Sequence, residues 1–475
     1  MHKIRRAVIF SSIGQYGLRL IGLVTTMIVA RLLTPDEVGI FAIASAIIMV
    51  ISEFKLLGAS EYLVREPEIT DLKIRRALGL TILISWSLGL LVLALGWPAA
   101  AFYEIPPLAI IFAILSTGLF LGPFISIPMA VVARRFEFRV MLVVNILSAI
   151  ASLATTVLLI YLGFSYYSLA WGYAANMMTK LAVICLIREF PKYWMPVFSD
   201  IGAIARFGIF TSVGNLCRKA LNTVPDVVIG KMGTTAQVGM FSRGLGFVEF
   251  LSGTLRLGVS PVVLPYLSEA KRADGNLSEA YSRATVLLAA MVWPVLSVAS
   301  VASLPVIRIF FGDQWDAAAP IASILALWLI LRTTHDFANS LLIASGKENL
   351  MLFKEAAILC SAFALVILSF SMGLQAVAKS FIVLGLFEVT LTSWLLRRAL
   401  NLEIVPFVLG LLPNLVLSAI CAAATVAISY FVSFDHEQAW RPVGAIALCL
   451  PVVWLVSLKV LRHPLYREIR LLIKI

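Results

Sequence analysis

The stretch Phe10-Ser11-Ser12-Ile13-Gly14-Gln15-Tyr16-Gly17-Leu18-Arg19 returns 200 residues later as Phe210-Thr211-Ser212-Val213-Gly214-Asn215-Leu216-Cys217-Arg218-Lys219. In the first copy Ser12, Gln15, Arg19, Gly22 and Thr26 fall at offsets 0, 3, 7, 10 and 14, which a helix of about 3.6 residues per turn gathers on one face. Ser212, Asn215, Lys219, Asn222 and Asp226 repeat those offsets. The register holds outward: Arg31 against Lys231, Val38-Gly39 and Phe41 against Val238-Gly239 and Phe241, Leu57-Gly58 and Ser60 against Leu257-Gly258 and Ser260. A register kept over roughly fifty positions is an internal duplication. It predicts two equivalent halves, each presenting a hydrophilic helix face with a cation at its middle.

The setting for those faces is a lipid bilayer. Of 475 residues, 61% are hydrophobic and 13% charged, with a mean hydropathy of +0.97, whereas soluble domains carry about 25% charged residues. Spans of about 20 apolar residues, the length that crosses a hydrocarbon core of roughly 30 Å, recur throughout. They fall near 8–30, 38–57, 77–97, 108–132, 140–162, 166–187, 204–230, 236–263, 284–311, 318–345, 350–373, 377–396, 406–432 and 441–461. The fold expected is therefore all-α and polytopic, with about 14 transmembrane helices. The alternating short segments of a membrane β-barrel are absent. The basic start Lys3, Arg5, Arg6 resembles a secretory signal, but the apolar run behind it carries Gln15 and Arg19 and no small-residue cleavage site, so it reads as a retained first helix. Cys185, Cys217, Cys360, Cys421 and Cys449 all lie within spans at no ligand spacing, which argues against a disulfide frame or a metal.

The net charge of +12 is topological and implies no nucleic acid. About 26 of the 38 Lys and Arg fall in connections on one side, among them Lys55, Arg76, Arg135, Arg188, Lys271, Lys347, Lys354, Arg397 and the tail from Lys459 to Lys474; about five fall on the other. Basic loops stay in the cytoplasm, which puts both termini there. The outer connections are short: Thr34-Pro35-Asp36-Glu37, Glu104-Ile105-Pro106-Pro107, Asp313 to Asp316, and Asp435-His436-Glu437. With the two stripes on the first and seventh spans, six helices apart in order, the repeat is of the parallel kind. The expected division is a first lobe over 1–195, a second over 196–402, and an appendage of two helices with a tail over 403–475. Pro123, Pro128, Pro261, Pro265 and Pro294 mark bends.

Seven cations remain inside spans: Arg19, Lys180, Arg218, Lys219, Arg243, Arg256 and Arg332. A charge at the middle of a helix costs about 2.5 to 3.5 kcal/mol on insertion scales, so these residues face water or partners. Arg332 has Asp336 at i+4 and Arg256 has Glu249 two turns away, which are structural pairings as well as cavity positions; Lys219 reaches Asp226 only across a strained span of two turns. The stripe of Arg19 holds no acidic residue. Recurrence of the cation at Arg19 and Lys219 favours a shared cavity and an anionic cargo, with Gln15, Asn215, Asn222, Ser12 and Ser212 suited to sugar hydroxyls. Lys180, Arg218 and Arg332 are secondary cavity candidates. Asp226, Glu249, Asp336 and Glu388 are the carboxylates placed to take a coupling proton or Na⁺, or to serve as ion-pair partners. Tyr166, Tyr167, Trp171 and Tyr173 suit either sugar stacking or an interfacial aromatic belt. No G-x-x-x-x-G-K-[ST] loop, H-E-x-x-H or G-x-S-x-G motif occurs. Asn276-Leu277-Ser278, a glycosylation triplet by pattern, reads better as a turn and helix cap.

At Ala30-Arg31-Leu32-Leu33-Thr34-Pro35-Asp36-Glu37-Val38-Gly39 with Phe41, the chain resembles the polysaccharide transporter family of the multidrug/oligosaccharidyl-lipid/polysaccharide flippase superfamily, where an A-R-x-L-x-P-x-x-x-G loop follows the first helix. The likeness covers essentially the whole chain. It implies a V-shaped fold enclosing a cationic cleft, and transfer of undecaprenyl-diphosphate-linked oligosaccharide from the cytoplasmic to the outer leaflet for O-antigen, capsule or exopolysaccharide assembly. It also implies that Arg19 and Lys219 meet the diphosphate or acidic sugars, with membrane lipids and the polymerase machinery as partners. Drug-exporting relatives resemble the chain less, since their opening helix carries a buried acid where this one has Arg19.

The expected function is thus a non-enzymatic flippase working by alternating access. A cation-coupled exporter of drugs or metabolites is the rival within the superfamily. A membrane glycosyltransferase, polymerase or ligase is the rival outside it, opposed by the short outer loops.

Overall fold

The two helices that follow the repeated stripe start by the same chemistry. The backbone N–H of Thr34 donates to Glu37 Oε2 (2.7 Å) and that of Glu37 donates back to Thr34 Oγ1 (3.4 Å). Thr234 and Gln237 exchange the equivalent bonds at 3.0 and 3.3 Å. Each is a reciprocal capping box that satisfies two otherwise orphaned amides. The computed structural model describes residues 2–54, 63, 68–135, 137–187, 195–199, 202–273, 276–434 and 438–473. The repeat is written into its helix limits: α1 (His2–Leu32) and α7 (Gly202–Met232) have 31 residues each and lie 200 positions apart. The helices that follow, α2 (Pro35–Glu53) and α8 (Thr235–Arg256), begin 200 positions apart. Leu57, Gly58 and Ser60 of the repeat, and Asp435 to Glu437, lie outside the described residues.

By packing, the chain divides into Met1–Gly239 and Met240–Ile475. This is a partition by contact, separate from the one the repeat suggests. In the first unit α3 (Asp71–Tyr103), α4 (Leu108–Arg134), α5 (Phe138–Tyr161) and α6 (Tyr167–Ile187) share a core that includes Leu78, Ile82, Ile127, Val131, Val144 and Ile184. Helix α7 is held in this unit antiparallel to α2, with Ile43 seated on Gly230. At their capped ends α2 and the first turn of α8 cross backbone to backbone. A Cβ on Gly39 would stand 1.8 Å from the Thr235 carbonyl oxygen, and one on Gly239 2.1 Å from that of Pro35. The repeated glycines are therefore the points where the two copies touch, and Thr235 Oγ1 donates to Asp36 Oδ1 (2.6 Å) across the crossing.

In the second unit α8 runs on to Arg256, followed by α9 (Ser260–Arg272), α10 (Leu277–Phe311), a 3₁₀ turn (Asp313–Ala318), α11 (Ala319–Thr333) and α12 (Ala338–Ala344). Then come α13 (Glu348–Phe370), α14 (Leu374–Leu400), α15 (Ile404–Phe431), α16 (Trp440–Val460) and the amphipathic tail helix α17 (Pro464–Ile473). Asn276 caps α10, its Oδ1 accepting from the Glu279 N–H (3.1 Å). The tail packs Leu465, Tyr466 and Ile469 on Leu458 and Ala290, with Arg283 paired to Glu468 at 2.8 Å.

Three details differ from the sequence reading. The span expected over 236–263 ends at Arg256, because Gly258 and Pro261 start a new, short helix there. The span expected over 318–345 breaks after Thr333 and resumes at Ala338. No Gly or Pro announces that break. The Thr333 and Thr334 hydroxyls instead bond back to the carbonyls of Leu329 and Ile330 at 2.8 and 3.2 Å, competing with the helix ladder. The bend of α10 falls at Ala302 (φ −101°, ψ 19°), three residues before Pro305, while the helix passes through Pro294.

Among the described residues no strand occurs, and 11 segments are long and apolar enough to cross a membrane.

Adding one methyl group should discriminate the crossing from free surface. Gly39→Ala or Gly239→Ala is expected to cost about 1 to 3 kcal/mol or more, read as a lowered unfolding midpoint in detergent. Gly246→Ala, with nothing within 4 Å of the added carbon, should leave the midpoint unchanged or raise it. A pH effect should appear at the tail. His463 is buried, its Nδ1 accepting from the Leu465 N–H at 3.1 Å, and burial pushes its pKa down from 6.5. Its contribution is therefore whole above about pH 6.5 and lost as pH falls through the lower folded value. The midpoint should drop between about pH 7.5 and about pH 5.5 in wild type and less in His463→Gln.

Candidate functional site

The polar face of α1 and α7 lies in the first unit. On α1, Gln15 is exposed and Arg19 half-buried, while the Thr26 hydroxyl bonds back to Gly22 O (2.9 Å). On α7, Arg218 and Lys219 are exposed and Asn222 is half-buried. The side chains of Ser12, Ser212 and Asn215 lie outside the described residues. Lys180, on α6, is half-buried.

Lys219 has a partner that the stripe itself does not supply. Its ammonium is ion-paired with the Glu53 carboxylate at the end of α2, and not with Asp226. The lysine side chain remains 47% exposed while that of Glu53 is 8% exposed. Asp226, directly after Pro225, is buried, and among the described residues its Oδ1 has no hydrogen-bond partner.

The second unit gathers its charges into one network around the two helix breaks. Arg256, the last residue of α8, pairs with Glu249 (3.2 Å) and with Asp336 (2.8 Å) in the gap between α11 and α12. Arg332 pairs with Glu249 at 3.3 Å and lies over the Trp328 ring (5.1 Å) instead of meeting Asp336. On α13, Lys354 and Glu355 are bridged at 3.0 Å with both side chains buried, and Asn339 donates to Glu355 at 2.7 Å. His335 links Tyr281 (2.7 Å) and Ser393 (2.8 Å) and stacks on Phe407. Glu388 is buried within electrostatic reach of Arg332, Lys354, Glu355 and Asp336, with Oε2 lacking a hydrogen-bond partner among the described residues.

The structure thus brings Glu249, Asp336, Glu388 and Arg332 together, and sets Gln15, Arg19, Arg218, Lys219, Asn222, Lys180 and Asp226 in the other unit. Arg243 is neither: its guanidinium stacks on Trp315 (4.7 Å) and Phe311 (5.0 Å). Sequence reasoning missed Glu53 and misplaced Lys354, which is buried in an ion pair and not in a cytoplasmic connection. The signal for Glu53 was available: a lone acid in the last turn of an apolar span, where a carboxylate also opposes the helix dipole, needs a cation from elsewhere.

Comparison with known proteins agrees with this architecture. Residues 28–320 match the family described as polysaccharide biosynthesis protein. The succinoglycan biosynthesis transport protein ExoT of Rhizobium meliloti (strain 1021) is 25% identical over 325 residues, covering 67% of this chain and 64% of that protein. The amylovoran biosynthesis protein AmsL of Erwinia amylovora is 24% identical over 61% of this chain and 76% of its own length. The chain spans less than two thirds of the length of the first of these relatives. Among solved structures, the lipid II flippase MurJ in an inward-closed conformation superposes with a TM-score of 0.74 over 97% of this chain and 99% of that one, at 15% identity, a likeness of fold.

Because Arg256 serves two carboxylates, Arg256→Met leaves Asp336 without its cation and Glu249 with Arg332 alone. It should lower stability by about 3 to 5 kcal/mol, visible as early thermal aggregation of the solubilised protein. Adding Asp336→Asn should recover part of the loss. Arg218→Ala, at an exposed position, should stay within about 0.5 kcal/mol of wild type.

Proposed function

As the chain belongs to the polysaccharide biosynthesis protein family, we propose that it is a flippase for lipid-linked oligosaccharide repeat units, acting in the assembly of an exported polysaccharide. The cargo is a sugar unit on a polyprenyl diphosphate, moved from the cytoplasmic to the outer leaflet of the inner membrane by alternating access. No covalent chemistry is assigned to any residue. Fourteen helices cross, both termini are cytoplasmic, and the repeat-defined lobes are 1–195 and 196–402, with 403–475 as appendage.

One observation carries the reading. Helices α1 and α7 carry the two members of the repeated stripe, with Arg19 half-buried on the one and Lys219 exposed on the other. A helix of that composition is stable in a bilayer only where it faces protein or water. Arg19 and Lys219 sit 13 residues, or about 20 Å, from the last residues of their helices, Leu32 and Met232. We assign the headgroup to these two cations, with Gln15, Asn215 and Asn222 as hydrogen-bonding groups and Arg218 and Lys180 at the margin. The names of the relatives support an exported polysaccharide, and the fold likeness to MurJ supports the transporter class. Membrane lipids surround the protein, and the polymerase machinery is the natural recipient of its product.

The second-unit network supplies the coupling site in this proposal. Its three cations, Arg256, Arg332 and Lys354, face four carboxylates, Glu249, Asp336, Glu355 and Glu388. The odd carboxylate, Glu388, takes a proton or Na⁺. Buried carboxyls of this kind, Asp226 included, are also what an exporter of cationic compounds would use.

Reconstitution decides between the two. Wild type should transfer a polyprenyl-diphosphate oligosaccharide between leaflets, and Arg19→Ala or Lys219→Ala should each slow it roughly 30-fold, the loss of about 2 kcal/mol from a charge contact. Transfer unaffected by both substitutions would remove the cation assignment. Efflux of a cationic dye with no lipid transfer would select the exporter.

A further inference from the structure

With Lys219 assigned to the headgroup, a reading on which this inference rests, its pairing with Glu53 bears on which anions the site accepts. The two partners of this pair are unequally buried. Here the carboxylate is enclosed and the lysine is left half open, its side chain 47% exposed against 8%. The duplication places Gly253 where the first copy has Glu53, so the repeated fold does not itself require an acid there. Nor does α2 favour one: Glu53 is its last residue, at the negative end of the helix dipole. Glu53 is explained by Lys219.

Its depth tells which anions it meets. Glu53 is 18 residues, about 27 Å, from Pro35 at the outer end of α2. On the proposed orientation this is the inner edge of a hydrocarbon layer roughly 30 Å thick. Cargo arrives there, and so do the singly charged phosphodiester headgroups of ordinary anionic lipids, in large excess. A bare lysine would bind either. A lysine already holding a carboxylate exchanges it only for a ligand with a stronger field, because each monoanion that enters displaces an equal charge.

We propose that Glu53 is the specificity-determining residue of the cation site. Between transport events its carboxylate occupies Lys219, and it yields the ammonium to a diphosphate, whose adjacent groups carry more than one negative charge, while excluding singly charged phospholipid headgroups.

The test uses the full chain in vesicles of phosphatidylcholine, or of phosphatidylcholine and phosphatidylglycerol in equal amounts, with a fluorescent polyprenyl-diphosphate disaccharide as probe. Wild-type transfer rates should agree within about twofold between the two compositions. Glu53→Gln should transfer the probe in the neutral vesicles and be slowed about fivefold to tenfold by phosphatidylglycerol, the scale of one partly exposed charge pair. Rates of Glu53→Gln that ignore phosphatidylglycerol would overturn the proposal and leave the flippase reading standing. A wild type that moves no probe in either vesicle would overturn the flippase reading itself. A measurement on wild type covers the case in which Glu53→Gln does not fold. Pyrophosphate should inhibit transfer at a concentration about tenfold lower than dimethyl phosphate does, and equal potency of the two would overturn the proposal.

Discussion

A charge inside hydrocarbon must find a partner or water, and that requirement organises this chain. Its cost is several kcal/mol per group, comparable with the whole stability of a folded domain, so the positions of the buried ions dictate which helices touch. In the second unit the requirement is met by mutual neutralisation. Arg256 alone ties α8 to the gap between α11 and α12, and Arg332 returns to Glu249 on α8. In the first unit it is met only in part, since Lys219 keeps an open side beside its partner.

Broken helices answer to the same demand on polar groups. The gap at 334–337 and the stop at Arg256 keep their backbone groups bonded through turns, Thr334 N–H donating to Leu331 O (3.1 Å), Asp336 N–H to Thr333 O (3.3 Å) and Val259 N–H to Arg256 O (3.1 Å). Both breaks lie against the ion network, Arg256 at the one and Asp336 at the other. The crossing of Gly39 on Gly239 solves a different problem. Two polar-capped helix ends, each with its own capping box, approach until backbone meets backbone, a distance that any side chain would prevent.

The chain belongs to the polysaccharide biosynthesis protein family and shares its fold with the lipid II flippase MurJ.

The duplication and the membrane class were legible in the chain because each rests on local pattern: residues 200 apart in register, and apolar runs of about 20. The pair of Arg256 with Glu249 was legible for the same reason, being two turns apart on one helix. Tertiary structure alone decided that Lys219 goes to Glu53, 166 residues away, that Asp336 goes to Arg256 and not to Arg332, and that Lys354 is buried. Those choices depend on which helices become neighbours. A single sequence carries no signal of that, because an ion pair between helices is set by the three-dimensional distance between two charges and by the low dielectric around them, neither of which has a period along the chain.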